Sequence, residues 1–384
     1  MQPVKITISG RYWDSYLYSG SLFLVQRDGG LTVVNWDSFI DSIPIDDDLA
    51  MPLECAFKRS DYLYNSEVNK ILIDREIKEV VVDKFERLSL KGFYFERLNS
   101  VVGTRDNPFS HPNSDLTIYK NKMYVSSQSG LYSARFDKKL RYRYSRNVEK
   151  LWDCPTLAIS ALYSTLAIST GDEGLFEIPL YDHFAVQDTI RPTLSRNSIS
   201  CNWNYWSIYS SSHLCGGSLI SYCKNPVEEN SFGYASREFD KIINERELFN
   251  EDGYSWGLRD KICLAKNGEV HIIKYSPSNT DPDEILQDLG VVRLEEWKGK
   301  VIDGGISLYG VIIECENAIV VVPTNGSPFT ISGEAIRWRT FPRSKHYENQ
   351  LHVIFDDRLE IYSFNHDYFV DQDQKRLGIR YSKF

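Results

Sequence analysis

Methionine is scarce in this chain, at 3 of 384 residues, and no apolar run approaches the roughly 20 residues of a membrane-spanning helix. Residues Met1 to Trp13 alternate polar and apolar and hold no signal-peptide core. No Cys-x-x-Cys pair occurs among the seven cysteines, Cys55, Cys154, Cys201, Cys215, Cys223, Cys263 and Cys315. An odd count in so long a chain argues against a disulfide framework, so a reducing cytosol is the expected setting. Cations are outnumbered, 44 to 53, which leaves a net charge of −9 and a pI near 5.4. That balance argues against a generic nucleic-acid binder. Gly-x-Ser-x-Gly, the phosphate loop and the dinucleotide fingerprint are all missing. Their absence removes the sequence warrant for an elbow-serine hydrolase or a nucleotide-binding fold, and no cofactor is expected.

What the chain does have is a repeat. Four or five alternating apolar residues, a tight polar turn and four or five more recur eight times. The hairpins read Ser21–Val25 with Leu31–Trp36, Lys70–Ile73 with Glu79–Val82, Lys122–Ser126 with Leu131–Phe136, and Thr165–Ser169 with Leu175–Ile178. They continue as Trp206–Tyr209 with Ser218–Tyr222, Lys261–Leu264 with Glu269–Lys274, Tyr309–Ile313 with Ala318–Val322, and Gln350–Phe355 with Arg358–Tyr362. Alternation broken by a turn is the signature of a β-hairpin. Anchored on the turn residues Gly30, Glu76, Gly130, Gly174, Gly217, Gly268, Asn317 and Asp357, they recur 40 to 54 positions apart. All-β content at that period predicts four-stranded blades, with the hairpin as the two middle strands. Segments such as Asp115–Tyr119, Leu157–Ser160 and Ser198–Cys201 precede them as innermost strands. Eight hairpins favour a closed eight-bladed β-propeller, with seven blades as the alternative, since a closed ring covers both faces of every blade. Val4–Ile8 and Leu377–Tyr381 are both strand-like, and one of them is expected to complete the blade holding the other.

Two stretches interrupt the period. Phe239, Ile242, Ile243 and Phe249 are spaced as on a short amphipathic helix. Asp281-Pro-Asp-Glu284 reads as a helix start, with Gly290 as its stop. Both are expected as small helical insertions, near 227–254 and 276–290, in a single domain spanning 1–384.

The repeat resembles the β-propeller superfamily over nearly the whole chain, and the WD40 type most. Trp36-Asp37 closes the third strand of the first unit, where that family keeps its Trp-Asp pair. Trp13-Asp14 and Trp152-Asp153 stand before hairpins instead, the accompanying Gly-His is missing, and no subfamily is indicated. A second resemblance is local. His213-Leu-Cys-Gly-Gly-Ser-Leu-Ile220 is similar to a strand of chymotrypsin-like proteases, but neither their histidine motif nor their nucleophile motif follows.

Several residue groups are candidates for function. The hairpin turns carry Asp28, Asp74, Glu76, Asp172, Glu173, Glu314, Glu316, Asp356 and Asp357 against only Arg27, Arg75, Lys266 and Arg358. Turns that emerge at one end of a propeller would make that end acidic and suited to a basic protein or peptide partner. Turn chemistry alone also favours Asp. The run Lys138-Lys139-Leu-Arg141-Tyr-Arg143-Tyr-Ser-Arg146 could grip a phosphate backbone, or could protect an outer strand from self-pairing. Cys201, His213, Cys215 and Cys223 match no zinc spacing, and no metal is expected. The leading expectation is a binding scaffold, a subunit of a complex, that uses loops at one end of the ring. An enzyme acting on a small polar or carbohydrate substrate in the central channel is the alternative. A subunit of a nucleic-acid complex is the third reading.

Overall fold

The computed structural model describes residues 2–365 except 65, 73, 106, 110, 138–142, 145–147, 181–190, 230–234, 280, 295–298 and 324–326. Seven sheets carry the chain, so the count is seven blades rather than eight. Blade one joins Tyr12–Tyr18, Ser21–Gln26, Leu31–Asn35 and Val101–Arg105. Blade two joins Asp115–Tyr119, Lys122–Ser127 and Gly130–Asp137, with Arg143–Tyr144 and Glu149–Trp152 both pairing to the third strand. Blade three is Ala158–Leu162, Thr165–Ser169, Leu175–Pro179 and Arg191–Leu194. Blade four is Ser200–Asn204, Ser207–Ser211, Ser218–Glu229 and Ala235–Asn244. Blade five is Tyr254–Leu258, Lys261–Lys266, Glu269–Tyr275 and Leu286–Arg293. Blade six is Val301–Ser307, Gly310–Cys315, Ala318–Pro323 and Phe329–Ser332.

Blade seven takes Arg337–Thr340, Gln350–Ile354 and Arg358–Ser363 from the late sequence and its fourth strand, Val4–Ser9, from the start. The pairing is antiparallel, from Val4 opposite Ser363 to Ser9 opposite Arg358. The early strand therefore completes the blade of the eighth hairpin, through Arg358–Ser363. Leu377–Tyr381 lies outside the described residues. Phe93–Phe95 adds a short parallel strand beyond Val4–Ser9.

Seven of the eight expected hairpins are the middle strands of blades, and the second is not a hairpin. Lys70 and Ile71 end the helix Ser66–Ile71, Glu79–Val82 lies in the helix Arg75–Lys91, and Ile73 is outside the described residues. With Trp36–Asp41 and Asp47–Phe57 they form a helical insertion between the third and fourth strands of blade one. These four are helices α1 (Trp36–Asp41), α2 (Asp47–Phe57), α3 (Ser66–Ile71) and α4 (Arg75–Lys91). Asp74 caps α4 by accepting from the backbone N–H of Glu76 and Ile77. Phe85 and Leu88, one helical turn apart, are its buried residues. The Trp36-Asp37 pair does not close a strand either. The strand stops at Asn35, which caps α1, and buried Trp36 donates its indole N–H to the Phe57 carbonyl at 2.7 Å. Phe39 and Phe57 pack on its ring, so this tryptophan pins the insertion to blade one.

The two expected helical excursions are outer strands. Ala235–Asn244 is the fourth strand of blade four, and helix α5, Glu245–Phe249, follows it. Leu286–Arg293 is the fourth strand of blade five, after a 3-10 turn at Pro282–Glu284. By contacts the chain divides into two compact units, Met1–Asn107 with Ile306–Phe384, and Pro108–Gly305. Blades two to five lie in the second.

Candidate interaction site

In blades two to five the first two strands are joined by two-residue turns. Register shows the tightness: Leu162 pairs with Thr165, and Asn204 with Ser207. Such turns need positive φ, which Asn and Gly supply cheaply and which a bulky side chain resists. Blade one uses Ser19-Gly20 at this corner. Blade three instead sets Tyr163 at φ 47° and Ser164 at φ 57°, and blade four sets Tyr205 at φ 54°. Both tyrosines remain open to solvent, 49% and 38% exposed. Two neighbouring blades thus hold large aromatic rings on strained corners and do not bury them.

The ground beneath these rings is a packed polar-aromatic network. Trp203, buried, donates its indole N–H to the Ser160 carbonyl of the neighbouring blade at 3.0 Å. Tyr163 meets its ring edge-on at 6.1 Å. The Arg237 guanidinium lies between Trp203, 4.6 Å from its centroid, and Tyr222, 4.1 Å away. It is ion-paired with Glu177 and donates to the Trp206 carbonyl at 2.6 Å. Glu177 also accepts from the hydroxyls of Tyr222 (2.8 Å) and Thr193 (3.2 Å). This buried carboxylate is therefore both paired and hydrogen-bonded, the condition under which burying a charge is tolerated. Phe239, 55% exposed, extends the surface by standing edge-on to Tyr222.

Cations flank the rings. Lys120, in the corresponding turn of blade two, donates to Ser164 Oγ at 2.6 Å. Arg259, in the turn of blade five, donates its backbone N–H to the Trp203 carbonyl at 2.9 Å. Burial raises the phenol pKa of both Tyr163 and Tyr205, with the Asp260 charge adding to the rise at Tyr205 and Arg259 opposing it. Both rings therefore stay neutral at physiological pH and can donate a hydrogen bond. Sequence reading missed this site because none of its residues forms a motif. The available signal was a tyrosine where a two-residue turn wants Asn or Gly.

Of the nine acidic residues expected in hairpin turns, six keep that position. Asp28, Asp172, Glu173, Glu316, Asp356 and Asp357 do occupy exposed turns between middle strands. Asp74 and Glu76 belong to the start of α4, because the hairpin expected there is helical. Glu314 lies within a strand of blade six and accepts from the Trp338 indole at 2.8 Å. Asp356 pairs with Arg27 at 2.7 Å and Asp357 with Arg358 at 2.9 Å, while Asp28 and Asp172 accept from Gly30 N and Asn197 Nδ2. Arg143 belongs to a short strand pairing with Phe136 and Asp137, in the outer position expected of it. Lys138, Lys139, Arg141 and Arg146 lie outside the described residues.

Cys201 is buried while Cys215 and Cys223 are exposed, and His213 stacks on Tyr254 at 4.8 Å. Among the described residues no group of three or more His, Cys, Asp or Glu could hold a metal ion. A separate buried ion cluster joins blades one and seven: Asp14, 1% exposed, accepts from Arg339 at 2.9 and 3.1 Å and Arg337 at 3.1 Å. Beside it His352 Nδ1 stands 3.0 Å from Ser15 Oγ.

No protein-family model matches the chain, and no curated protein matches it. Solved structures do. The β-propeller domain of Cps50 (Swd1) from Myceliophteria thermophila is similar over 94% of this chain and 98% of its own, with TM-score 0.53 and 10% identity. The WD40 domain of Neurospora crassa Pan2 is similar over 93% and 90%, with TM-score 0.49 and 8% identity. The WD40 propeller domain of Doa1 is similar over 68% and 96%, with TM-score 0.38 and 12% identity. At such identities it is the fold that is shared, and this chain is a β-propeller of WD40-like, four-stranded antiparallel blades.

Proposed function

We propose that the protein is an interaction platform that binds a protein or peptide partner through the aromatic surface at Tyr163, Tyr205 and Phe239. Loops carried by a rigid framework are where recognition residues concentrate, and tyrosine, tryptophan and arginine dominate binding energy. One observation carries the reading: Tyr163 and Tyr205 occupy backbone positions that cost stability, yet remain substantially exposed. Strain kept at exposed residues is a mark of function, because packing does not repay it. We place the protein in the cytosol as a subunit of a complex. Seven unpaired cysteines support the compartment, four of them buried.

A second reading keeps the acidic turns. Asp28, Asp172, Glu173 and Glu316 are exposed and could attract a basic partner. Purification from the native host tests both. A partner that co-purifies with the wild type should be lost from the Tyr163→Asn/Tyr205→Asn double variant and kept by the Asp28→Asn/Asp172→Asn/Glu316→Gln variant. The reverse pattern would assign binding to the acidic turns. Retention by both variants would sink both assignments.

A further inference from the structure

We infer that the helical insertion of blade one is a latch. It grips the late strands of blade seven, and so gives them a second tie to the early sequence beside the Val4–Ser9 pairing. Topology puts the parts within reach. In a four-stranded antiparallel blade, the turn from first to second strand and the connection from third to fourth leave at the same end. The insertion is such a third-to-fourth connection, in blade one. Blades one to five turn from first to second strand in two residues. Blade seven instead runs through a loop, 341–349, between Arg337–Thr340 and Gln350–Ile354. The insertion and this loop meet.

Six hydrogen bonds join the insertion to blade seven, between residues 285 to 307 positions apart. The end of α2 is buried, so its last carbonyls need partners from outside the helix. Glu54 finds them in its own turn, from the backbone N–H of Lys58 and Arg59. The Ala56 carbonyl accepts instead from Asn349 Nδ2 at 3.0 Å and Ser363 Oγ at 2.8 Å, and the Phe57 carbonyl from Gln350 Nε2 at 2.9 Å. Just beyond, Ser60 donates its backbone N–H to the His346 carbonyl at 3.2 Å and its hydroxyl to the Lys345 carbonyl at 3.1 Å. Asp61 Oδ1 stands 2.7 Å from His346 Nδ1. Ser60, Asn349, Gln350 and Ser363 are buried, so a bond lost there leaves a polar group without water to replace its partner. The apolar contact is continuous as well. Leu53 and Phe57 of α2 share one core cluster with Leu24 and Val34 of blade one and Ile354 and Ile361 of blade seven. The insertion is thus covalently part of blade one and hydrogen-bonded to blade seven. An event that lifts α2 removes one of the two ties on the late strands, which should then open locally while the other blades hold.

The Ser60→Ala/Asp61→Ala variant removes two of the six bonds from the insertion's side and leaves every residue of blade seven in place. Amide hydrogen exchange, read segment by segment on the full chain, should then rise about fivefold over 344–354 and stay unchanged in blades two to five. In the protein lacking residues 2–10, the same two substitutions should lower the melting temperature by more degrees than they do in the full chain. Each tie is the other's reserve, so their losses should couple. No rise over 344–354, whether or not 47–61 exchanges faster, would overturn the latch and leave the insertion a passenger on blade seven. A rise spread evenly over all blades would overturn it too, as general destabilisation. So would equal melting losses with and without residues 2–10. Should the truncated protein fail to fold, the exchange result decides alone.

Discussion

At the scale of single residues, the chain spends its polar burial on compensated pairs. Burial opposes charge on Asp14, but Arg339 and Arg337 outweigh it and hold the carboxyl below the usual carboxylate range. His352, fully buried beside them, is pushed down to about 3, first by burial and then by the Arg339 charge. Its unfolded counterpart titrates near 6.5. Between those values the unfolded chain takes up a proton that the folded chain refuses, so stability falls as pH drops from about 6.5 toward 3. Asp14 acts in the same sense, since its stabilisation is lost as pH falls through its lowered pKa. Wild-type melting temperature should therefore decline from pH 7 to 4.5, and His352→Gln should flatten that decline. Equal slopes for the two proteins would show that the histidine is not taking part. None of this cluster could be read from the sequence, where Asp14 is 325 positions from Arg339. Tyr163 and Tyr205 were as hard to read, because each looks like ordinary strand text until φ is known.

At the scale of elements, middle strands were legible and edges were not. Middle strands are covered on both flanks by other strands, so a strict alternation marks them. Outer strands are half exposed and tolerate irregularity. In blade four a bulge falls between Ser221 and Tyr222, so that Phe239 faces Tyr222 but Lys241 faces Ser221. The extra residue shifts the side-chain phase, and Phe239, Ile242 and Ile243 acquire a spacing that imitates a helix. Blade five repeats the effect: Gly290, expected as a helix stop, sits at φ 97° beside the bulge between Ile272 and Ile273. The reverse error occurred at Val80-Val81-Val82, three β-branched residues that lie in α4. There the cap at Asp74, the Arg75–Glu79 pair at 2.8 Å and the Phe85/Leu88 stripe outweigh β propensity. Asp74→Ala should therefore cost the insertion about 1 kcal/mol. Faster proteolytic cutting within residues 60–91, with the blades intact, would register it. Unchanged cutting would mean that α4 is held by packing alone.

At the scale of the whole molecule, the period of the hairpins revealed the fold class, while the blade count depended on one false hairpin in eight. The closing blade is the feature with most at stake. Ile6 and Ile8 are fully buried, in a strand flanked by Arg358–Ser363 on one side and Phe93–Phe95 on the other. Removing residues 2–10 should lower the melting temperature by about 10 °C or more, since it uncovers a long apolar edge. A synthetic peptide of those residues added in excess should restore part of the loss. A truncated protein that melts with the wild type would show blade seven to be complete without Val4–Ser9.

That same pairing sets a timetable for biosynthesis. Val4–Ser9 is translated some 350 residues before its antiparallel partner. At about 5 to 20 residues per second, the nascent strand waits roughly 20 to 70 s without that partner. Throughout that interval it presents Val4, Ile6 and Ile8 as an open strand, the kind of edge that pairs with other chains. Blades two to five can each form from contiguous sequence as they emerge, whereas blade seven can finish only after Arg358–Ser363 has been made. Production of folded protein should thus depend on how well Val4–Ser9 is shielded until Arg358–Ser363 has been made.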